Sequence, residues 1–310
     1  MVRTKQKIQT VFFALGTVCG ITVYTEEDKA AAGEAKARVF ELHQKLNAYD
    51  ENSEISRINQ NAGLRFTAVS NDTLSIIRRS AAFSEQTNGL FDITSTPVSQ
   101  LWKDHIKAQI LPLEYERRKA AALVNHRDIL IDGDAVMLKR RGQKIDLGAI
   151  AKGHAADEVR RILSARGAKN ALINLGGTVV TIGEAQAVGI QNPFEKTGTA
   201  FATVSVRNKA VVSSGLYEQG FTQDGRTYHH IIDPKTGFPS DSELAGITLV
   251  GKNAELSDAL STAAFMLSVS EATELLRRFS TEAVFITKDG SVYITEGLKN
   301  NFAFIEKGAK

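Results

Sequence analysis

Closely spaced strand patterns in the middle of the chain place the strongest constraint on its fold. Between residues 170 and 250, short runs of apolar and β-branched residues alternate with Gly, Asn and Pro, which end strands and form turns. The runs are NALINLGGTVVTIG, AVGIQNP, FATVSVRN, AVVSSG, TYHHIIDP and AGITLVG. So many short strands in succession favour a mostly antiparallel sheet assembly.

Helical patterns lie on both sides of this region. Apolar residues recur at helical spacing over 26–46, 71–86, 255–267 and 268–279. Asp-Gly turns predict hairpins in RDILIDGDAVMLKRRGQKIDLG and AVFITKDGSVYIT. Since no low-complexity linker or repeat divides the chain, we expect an α+β fold with a mixed sheet assembly and packed helices. It should form a single interlocked domain with lobes over 1–310, with a flexible segment at residues 1–9.

The composition is that of an ordinary globular protein. The chain has 310 residues, of which 43% are hydrophobic and 24% charged, with 38 basic against 35 acidic residues. This balance, without a long basic run or interleaved aromatic residues, argues against a nucleic-acid partner. The one cysteine, Cys19, excludes an internal disulfide and any metal site built from several cysteines.

The N-terminal stretch MVRTKQKIQTVFFALGTVCGITVY has a basic start and an apolar run, as a secretory signal does. Gly and Thr residues dilute the run and no small-x-small cleavage site follows, so a first β-strand is the favoured interpretation. No segment approaches the 18 or so apolar residues that span a bilayer. We therefore expect a cytoplasmic protein from the sequence as given, or a periplasmic or cell-surface one if an export signal is missing. Membrane association would require such a signal, a lipid anchor or binding to a partner protein at the membrane.

The stretch KIDLGAIAKGHAADEV combines Asp146, Gly148, Lys152 and Gly153 before a helical pattern that ends near Gly167. It predicts a strand, a glycine turn and a helix N-terminus. Such a turn is commonly structural, but the free N–H groups and dipole of the helix also favour an anion there. The spacing does not match a Walker A loop, because the lysine precedes the second glycine and no hydroxyl follows.

Two further stretches carry polar residues that a core does not obviously need. In NGLFDITSTP, Asp92 stands between apolar neighbours and is read either as a turn cap before Pro97 or as a site residue. In VVSSGLYEQGF, Ser213, Ser214 and Glu218 follow a buried-looking strand, which predicts a serine-rich turn with a solvated acid or a contact to a ligand.

TYHHIIDPKTGFP carries two of the six histidines in tandem. On a strand, Tyr228 and His230 would face one side and His229 the other, so one histidine should point at the interior or a cleft. Either it is a hydrogen-bonded core histidine, or it serves as a general base or phosphate contact.

In ELSDALSTAAFML, Asp258 and Thr262 are four residues apart and so share a helix face. Together with Ser261 they could offer hard oxygen ligands to Mg²⁺. The alternative is a buried aspartate that bonds Thr262 or caps a nearby loop.

The order of these motifs resembles that of the ApbE-type FAD:protein FMN transferases. The similar segments are ALGT, AYDENSEISRIN, NGLFDIT, IDLGAIAKGHAAD, INLGG, SSG, HHIIDPKTG and SDALSTA. They run from about Leu15 to the last hairpin, and DLGAIAKG, HIIDPKTG and DALST form a specific triple. The resemblance implies an ApbE-like, T-fold-like architecture.

The resemblance also implies a magnesium-dependent transferase that cuts the FAD pyrophosphate, releases AMP and links FMN to a Thr or Ser of an acceptor redox protein. The flavin and FAD contacts it implies are Leu15, Tyr49, Leu90, Phe91, Asp92, Asp146, Lys152, Glu218, His230 and Ile232. Tyr49 and Phe91 would offer aromatic surface to the flavin. The metal would be held by the main-chain oxygen of Ala149, by Asp258 and by Thr262. His230 or Asp258 would be the catalytic group that accepts the proton.

The sequence departs from the family pattern at three positions. Leu15 stands where methionine is common, and Ser261 and Thr178 where aspartates are common. Ser261 is kept as a metal-ligand candidate that would give a less charged site, whereas Thr178 is assigned no role. Two other functions remain open: an FAD pyrophosphatase that forms FMN and AMP, and a flavin carrier without catalysis.

Overall fold

The computed structural model describes residues 7–216, 220–223 and 226–305. The strands in this part of the chain are β1 (Ile8–Ala14), β2 (Thr17–Val23), β3 (Thr67–Ala68), β4 (Ile129–Asp132), β5 (Ala135–Leu138), β6 (Ala171–Leu175), β7 (Thr178–Ile182), β8 (Gln186–Gln191), β9 (Ala200–Val206), β10 (Ala210–Gly215), β11 (Gly220–Gln223), β12 (Arg226–His229), β13 (Ile232–Asp233), β14 (Phe238–Pro239), β15 (Leu244–Gly251), β16 (Glu282–Thr287), β17 (Val292–Ile294) and β18 (Phe302–Phe304). The helices are α1 (Glu27–Leu46), α2 (Glu54–Gln60), α3 (Asn71–Gln86), α4 (Thr96–Ala108), α5 (Glu114–Ala121), α6 (Ala151–Ala165), α7 (Ala254–Phe265) and α8 (Val269–Arg277).

An eight-stranded sheet in the order β1-β2-β6-β7-β10-β15-β16-β17 forms the centre of the fold. Neighbouring strands pair antiparallel throughout this sheet, as the sequence predicts. Helices α1, α6 and α7 pack on one face, and the three-stranded sheet β18-β9-β8 packs on the other through a smaller apolar cluster. The mixed α+β class is confirmed.

The largest apolar core contains side chains from Phe12 to Phe285, which supports our proposal of one domain over most of the chain. The N-terminal apolar stretch forms the hairpin β1-β2, so the predicted first strand is confirmed. Residues 8 and 9 lie in β1, so the expectation of a flexible segment at 1–9 is wrong for these two. Among the described residues, none of the helices combines the length and apolar character needed to cross a bilayer.

The predicted helices appear close to their expected ends, and the capping box of Ser268 and Glu271 is present at α8. The hairpins β4-β5 and β16-β17 also form as predicted. Helix α6 begins at Ala151, so Lys152 and Gly153 lie in its first turn and not in the loop before it. The sequence interpretation did not include α2, α4 and α5.

Helices α6 and α7 approach each other closely at Gly153. A Cβ added at this residue would lie 2.3 Å from the carbonyl oxygen of Ala254 and 2.7 Å from the Cα of Glu255. Only a residue without a side chain therefore allows the two backbones to touch at this point. This contact places the start of α6 against the first turn of α7.

We expect Gly153→Ala to lower the free energy of unfolding by roughly 1–3 kcal/mol, because the methyl group must push two packed backbones apart. Urea unfolding measures the change. Gly33→Ala in α1 is the matched control, since a Cβ there meets no atom within 4 Å. It should stabilise the protein by up to about 1 kcal/mol through helix propensity. Equal effects of the two substitutions would contradict the close approach.

His229 fixes the segment between β12 and β13. Its Nε2–H donates to the Ser240 carbonyl (2.9 Å), and its Nδ1 accepts the Ile231 N–H (3.2 Å). The ring is 2% exposed and meets the Phe265 ring edge to face. Burial lowers the pKa of His229 to about 4, so the imidazole is neutral at neutral pH. His229 is therefore the core histidine, whereas His230 lies beyond the end of β12 and the predicted strand alternation does not reach it.

The depressed pKa of His229 predicts a pH-dependent loss of stability. The unfolded imidazole binds a proton near pH 6.5 and the folded one only near pH 4, so stability falls as pH drops through this window. Between pH 7 and 4.5 the loss due to this group should be about 2–3 kcal/mol. His229→Gln should be less stable at pH 7 but lose less on acidification, as measured by urea unfolding. Parallel pH profiles for the two proteins would contradict the assignment.

Candidate functional site

A cleft of about 330 Å³ opens beside the start of α6, the face of α7 and the end of β10. Ten of the residues proposed from the sequence line it, although they come from distant parts of the chain. They are Leu90, Phe91, Asp92, Asp146, Ala149, Lys152, His230, Ile232, Asp258 and Thr262. The structure thus brings most of the predicted site together.

Asp258 is the buried carboxylate of the cleft. It is 5% exposed, and its Oδ2 accepts the main-chain N–H of Gly153 at 2.9 Å. Its Oδ1 lies 3.9 Å from the Nζ of Lys152. Burial raises the pKa of Asp258 above its usual value, although Lys152 and the Gly153 N–H oppose the shift. The carboxylate therefore has only partial compensation for its loss of water.

The hydrogen bond between Gly153 and Asp258 also affects Ala149. In an uninterrupted helix the Gly153 N–H would donate to the Ala149 carbonyl four residues earlier. Here it donates to Asp258, and no described residue donates to the Ala149 oxygen, whereas the next helical bond, from His154 N to Ile150 O, is present at 2.9 Å. The carbonyl is left with an open acceptor site beside the cleft.

Thr262 follows Asp258 by one turn of α7, and both line the cleft as the helical spacing predicts. A carboxylate oxygen, a carbonyl oxygen and a hydroxyl are hard donors of the kind that Mg²⁺ takes. The part of the chain that the structure describes contains no group of three or more His, Cys, Asp and Glu side chains that could hold a metal ion. A metal at this place would therefore depend on this mixed set of oxygen atoms.

Lys152 and Asp146 shape the turn before α6. The Lys152 Nζ donates to the Gly148 carbonyl at 2.9 Å and thus stays next to the cleft. The Asp146 Oδ1 accepts the Gly148 N–H at 2.8 Å, and its own N–H donates to the Ile93 carbonyl. The segment is thus both a structural turn and one wall of the cleft.

Tyr49 lies outside the set of lining residues but contacts one of them. Partial burial, followed by the charge of Asp146 and a hydrogen bond to it, raises the pKa of Tyr49 to about 12. The ring is 67% exposed, and the Nζ of Lys103 lies 4.7 Å from its centroid. Tyr49 therefore offers an accessible aromatic surface next to Asp146.

Leu15 does not line the cleft either. It occupies the turn between β1 and β2 with φ of 53°, and its N–H donates to the His43 Nδ1 at 3.3 Å. The turn nevertheless adjoins the cleft through Thr17, whose side chain lies 2.4 Å from the place of a Cβ on the lining residue Gly176.

Phe91 and Asp92 line the cleft and also make structural contacts. Phe91 is 2% exposed and packs edge to face on Phe83, so little of its ring is accessible although the residue lines the cleft. Its contact with the flavin stays a prediction. The Asp92 Oδ1 accepts from the N–H and hydroxyl of Thr94, and its Oδ2 accepts from the N–H of His126 and lies 3.2 Å from that ring. The interpretation of Asp92 as a cap is thus confirmed.

Ser261 is not among the residues that line the cleft. It is fully buried, its hydroxyl donates to the Asp258 carbonyl at 2.8 Å, and it shares a 2.8 Å hydrogen bond with the Ser214 hydroxyl of β10. This side chain fastens α7 to the sheet, so its hydrogen bonds do not support the metal contact predicted for Ser261. Glu218 lies in 217–219, outside the described residues, and its flavin contact stays a prediction.

Helix α4 supplies a wall of the cleft that the sequence interpretation missed. Thr96 and Ser99 line the cleft from this helix, and Ser95 precedes it. The apolar face of the helix was visible in the sequence, since Val98, Trp102 and Ile106 recur every four residues and are buried. The remaining lining residues are Ile93, Gly148, Gly176, Ser213, Ser214, Gly215, Ile231, Pro234 and Met266.

Comparison with known proteins identifies the family. A family model described as the ApbE family matches residues 15–285. The FAD:protein FMN transferase of Klebsiella pneumoniae (strain 342) is 31% identical over 301 residues, which cover 95% of this chain and 93% of that protein. The FAD:protein FMN transferase of Treponema pallidum (strain Nichols) is 31% identical over 309 residues, covering 92% and 85% respectively.

Solved structures agree with this relationship. The ApbE protein of Thermotoga maritima superposes with a TM-score of 0.84 at 29% identity, over 94% of this chain and 98% of that one. The apo flavinyl transferase ApbE of Pseudomonas stutzeri gives a TM-score of 0.82 at 25% identity, over 94% and 95%. Because the family model spans most of the sequence and both curated relatives exceed 30% identity over nearly all of it, this chain belongs to the ApbE family.

Proposed function

We propose that this enzyme transfers FMN from FAD to a Thr or Ser hydroxyl of an acceptor protein, with Mg²⁺, and releases AMP. The curated relatives are named FAD:protein FMN transferases, so flavin transfer is the activity that family membership supports. The Mg²⁺ part of the proposal rests on one observation. The Gly153 N–H occupies only Oδ2 of Asp258, which leaves Oδ1 and the Ala149 carbonyl for a cation beside Lys152.

The cleft offers separate surfaces for the parts of FAD. Leu90 and Ile232 provide apolar walls for the flavin, and the exposed ring of Tyr49 lies at the Asp146 side. The Lys152 ammonium lies in the first turn of α6, where free N–H groups and the helix dipole also favour an anion. We assign Lys152 to the diphosphate for this reason.

Asp258, Ala149 and Thr262 would hold the magnesium ion. Their oxygen atoms suit a hard dication, and the burial of Asp258 strengthens its attraction for a positive charge. A bound Mg²⁺ supplies charge neutralisation on the phosphate oxygens and orients the diphosphate.

The transfer needs positioning and one proton acceptor. The acceptor hydroxyl oxygen forms a bond to the phosphorus of the FMN part, and the bond from that phosphorus to the bridging oxygen breaks, so that AMP leaves with this oxygen. The hydroxyl proton passes to a base. His230 is our candidate, because it lines the cleft while Asp258 is engaged by Gly153 and by the proposed metal.

The direct test incubates the enzyme with FAD, Mg²⁺ and an acceptor protein bearing the target hydroxyl. We expect AMP release together with acceptor fluorescence that survives denaturation. AMP with free FMN and no labelled acceptor would identify a pyrophosphatase, and the absence of AMP would leave a carrier.

Asp258→Asn should reduce transfer on the order of 100-fold or more, because it removes the only anionic ligand that we propose for the metal. The rate is measured over a Mg²⁺ titration. Ser261→Ala is the matched control on the same helix, since that hydroxyl bonds Ser214 of β10 and Ser261 does not line the cleft. It should leave the Mg²⁺ dependence unchanged. A Mg²⁺ response altered by Ser261→Ala and not by Asp258→Asn would refute this ligand set.

Lys152→Met keeps most of the apolar stem and removes the charge. We expect the Kd for FAD to rise about 10-fold or more, as for the loss of a charge-assisted hydrogen bond. FMN, which has no diphosphate bridge, should lose less affinity. Flavin fluorescence titration measures both. A fall of several degrees in the apo melting temperature with unchanged FAD affinity would instead mark Lys152 as a structural partner of Gly148 and Asp258.

A further inference from the structure

A buried ionic cluster lies behind the cleft, on the side of α6 and α7 that faces α3. Glu255 of α7 is 5% exposed and His154 of α6 is 8% exposed. The His154 Nδ1 lies 2.8 Å from the Glu255 Oε2, and Arg79 of α3 donates to both oxygens of the same carboxylate. None of the three residues lines the cleft.

The cluster belongs to a row of contacts that fixes α7 on α6. The Asp157 Oδ2 accepts the main-chain N–H of Glu255 at 3.0 Å. Gly153, His154 and Asp157 thus contact the first five residues of α7 in succession along α6. Glu255 precedes Asp258 by three residues on the same helix, so any rotation of this turn moves both carboxylates.

Packing alone does not account for the cluster. Taking a carboxylate out of water opposes its ionisation, yet hydrogen bonds from His154 and Arg79 hold the pKa of Glu255 below its usual value. The His154 Nε2 is buried without a hydrogen-bond partner among the described residues, which is a cost that an apolar side chain would avoid. Buried ionic groups often stabilise a fold less than apolar residues of the same size, but they fix geometry.

We propose that Arg79, His154 and Glu255 are positioning residues of the transfer site. They hold the first turn of α7 at the angle that keeps the Gly153 N–H on Asp258 Oδ2. This angle leaves Asp258 Oδ1 and the Ala149 carbonyl directed to one cation. The inference rests on the proposed metal site and adds residues that touch neither metal nor substrate.

The test measures Mn²⁺ binding to the whole protein by the electron paramagnetic resonance signal of free Mn²⁺, without FAD. Arg79→Met removes the charge, and because 41% of the Arg79 side chain is exposed it leaves no closed cavity. We expect the Kd for Mn²⁺ to rise about 10-fold, as for other residues that orient metal ligands. Arg79→Lys should recover part of the affinity and Glu255→Gln should weaken it.

Arg38→Met is the matched control, since Arg38 also links three helices. It joins α1 to Asp72 of α3 and Glu158 of α6, away from the cleft. It should lower the melting temperature and leave the Mn²⁺ Kd unchanged. The proposal is overturned if Arg79→Met lowers stability as Arg38→Met does without changing the Kd. If Arg79→Met does not fold, an unchanged Kd in both Arg79→Lys and Glu255→Gln overturns it.

The wild-type protein and Asp258→Asn separate this proposal from the proposed function. Mn²⁺ binding that is lost in Asp258→Asn but unaffected by the Arg79 and Glu255 variants overturns only the positioning role. Wild-type binding that does not depend on Asp258 overturns the metal site and the positioning role together.

Discussion

The close contact between α6 and α7 is the constraint on which the site depends. Because Gly153 has no side chain, its backbone reaches the Ala254 carbonyl and its N–H reaches Asp258. The same hydrogen bond orients the carboxylate and releases the Ala149 carbonyl from its usual helical partner. The absence of a side chain at Gly153 therefore determines both the orientation of the Asp258 carboxylate and the loss of the helical donor to the Ala149 carbonyl.

Helix α7 is the element that connects this contact to the rest of the fold. Its Ser261 hydroxyl bonds Ser214 of β10, which anchors the helix on the central sheet. Its Phe265 ring packs on His229, whose hydrogen bonds fix the segment that carries His230 and Ile232 to the cleft. Helix α7 thus supports both the β10 wall of the cleft and the segment of His230 and Ile232, although these come from distant parts of the sequence.

The sequence pattern predicted those features of the site that depend only on the geometry of a single helix. The spacing of Asp258 and Thr262 puts both on one face of α7, and both line the cleft. The same spacing could not exclude Ser261, whose direction depends on where β10 packs. The burial of Phe91 likewise depends on tertiary contacts that the sequence pattern does not show, whereas His230 lines the cleft as proposed. The family resemblance supplied residue roles, but not the backbone bond between Gly153 and Asp258.

Two carboxylates on adjacent turns of α7 have different roles: one holds the helices together and the other lines the cleft. Glu255 and Asp258 are both about 5% exposed, so burial disfavours the charge of each. Glu255 receives hydrogen bonds from Arg79 and His154, and its pKa is lowered. Asp258 receives one N–H and a more distant ammonium, and its pKa is raised. A buried carboxylate whose charge is incompletely compensated favours the approach of a cation, whereas a compensated one has no such need. The opposite shifts of these neighbours therefore separate the carboxylate that faces the cleft from the one that holds the helices together.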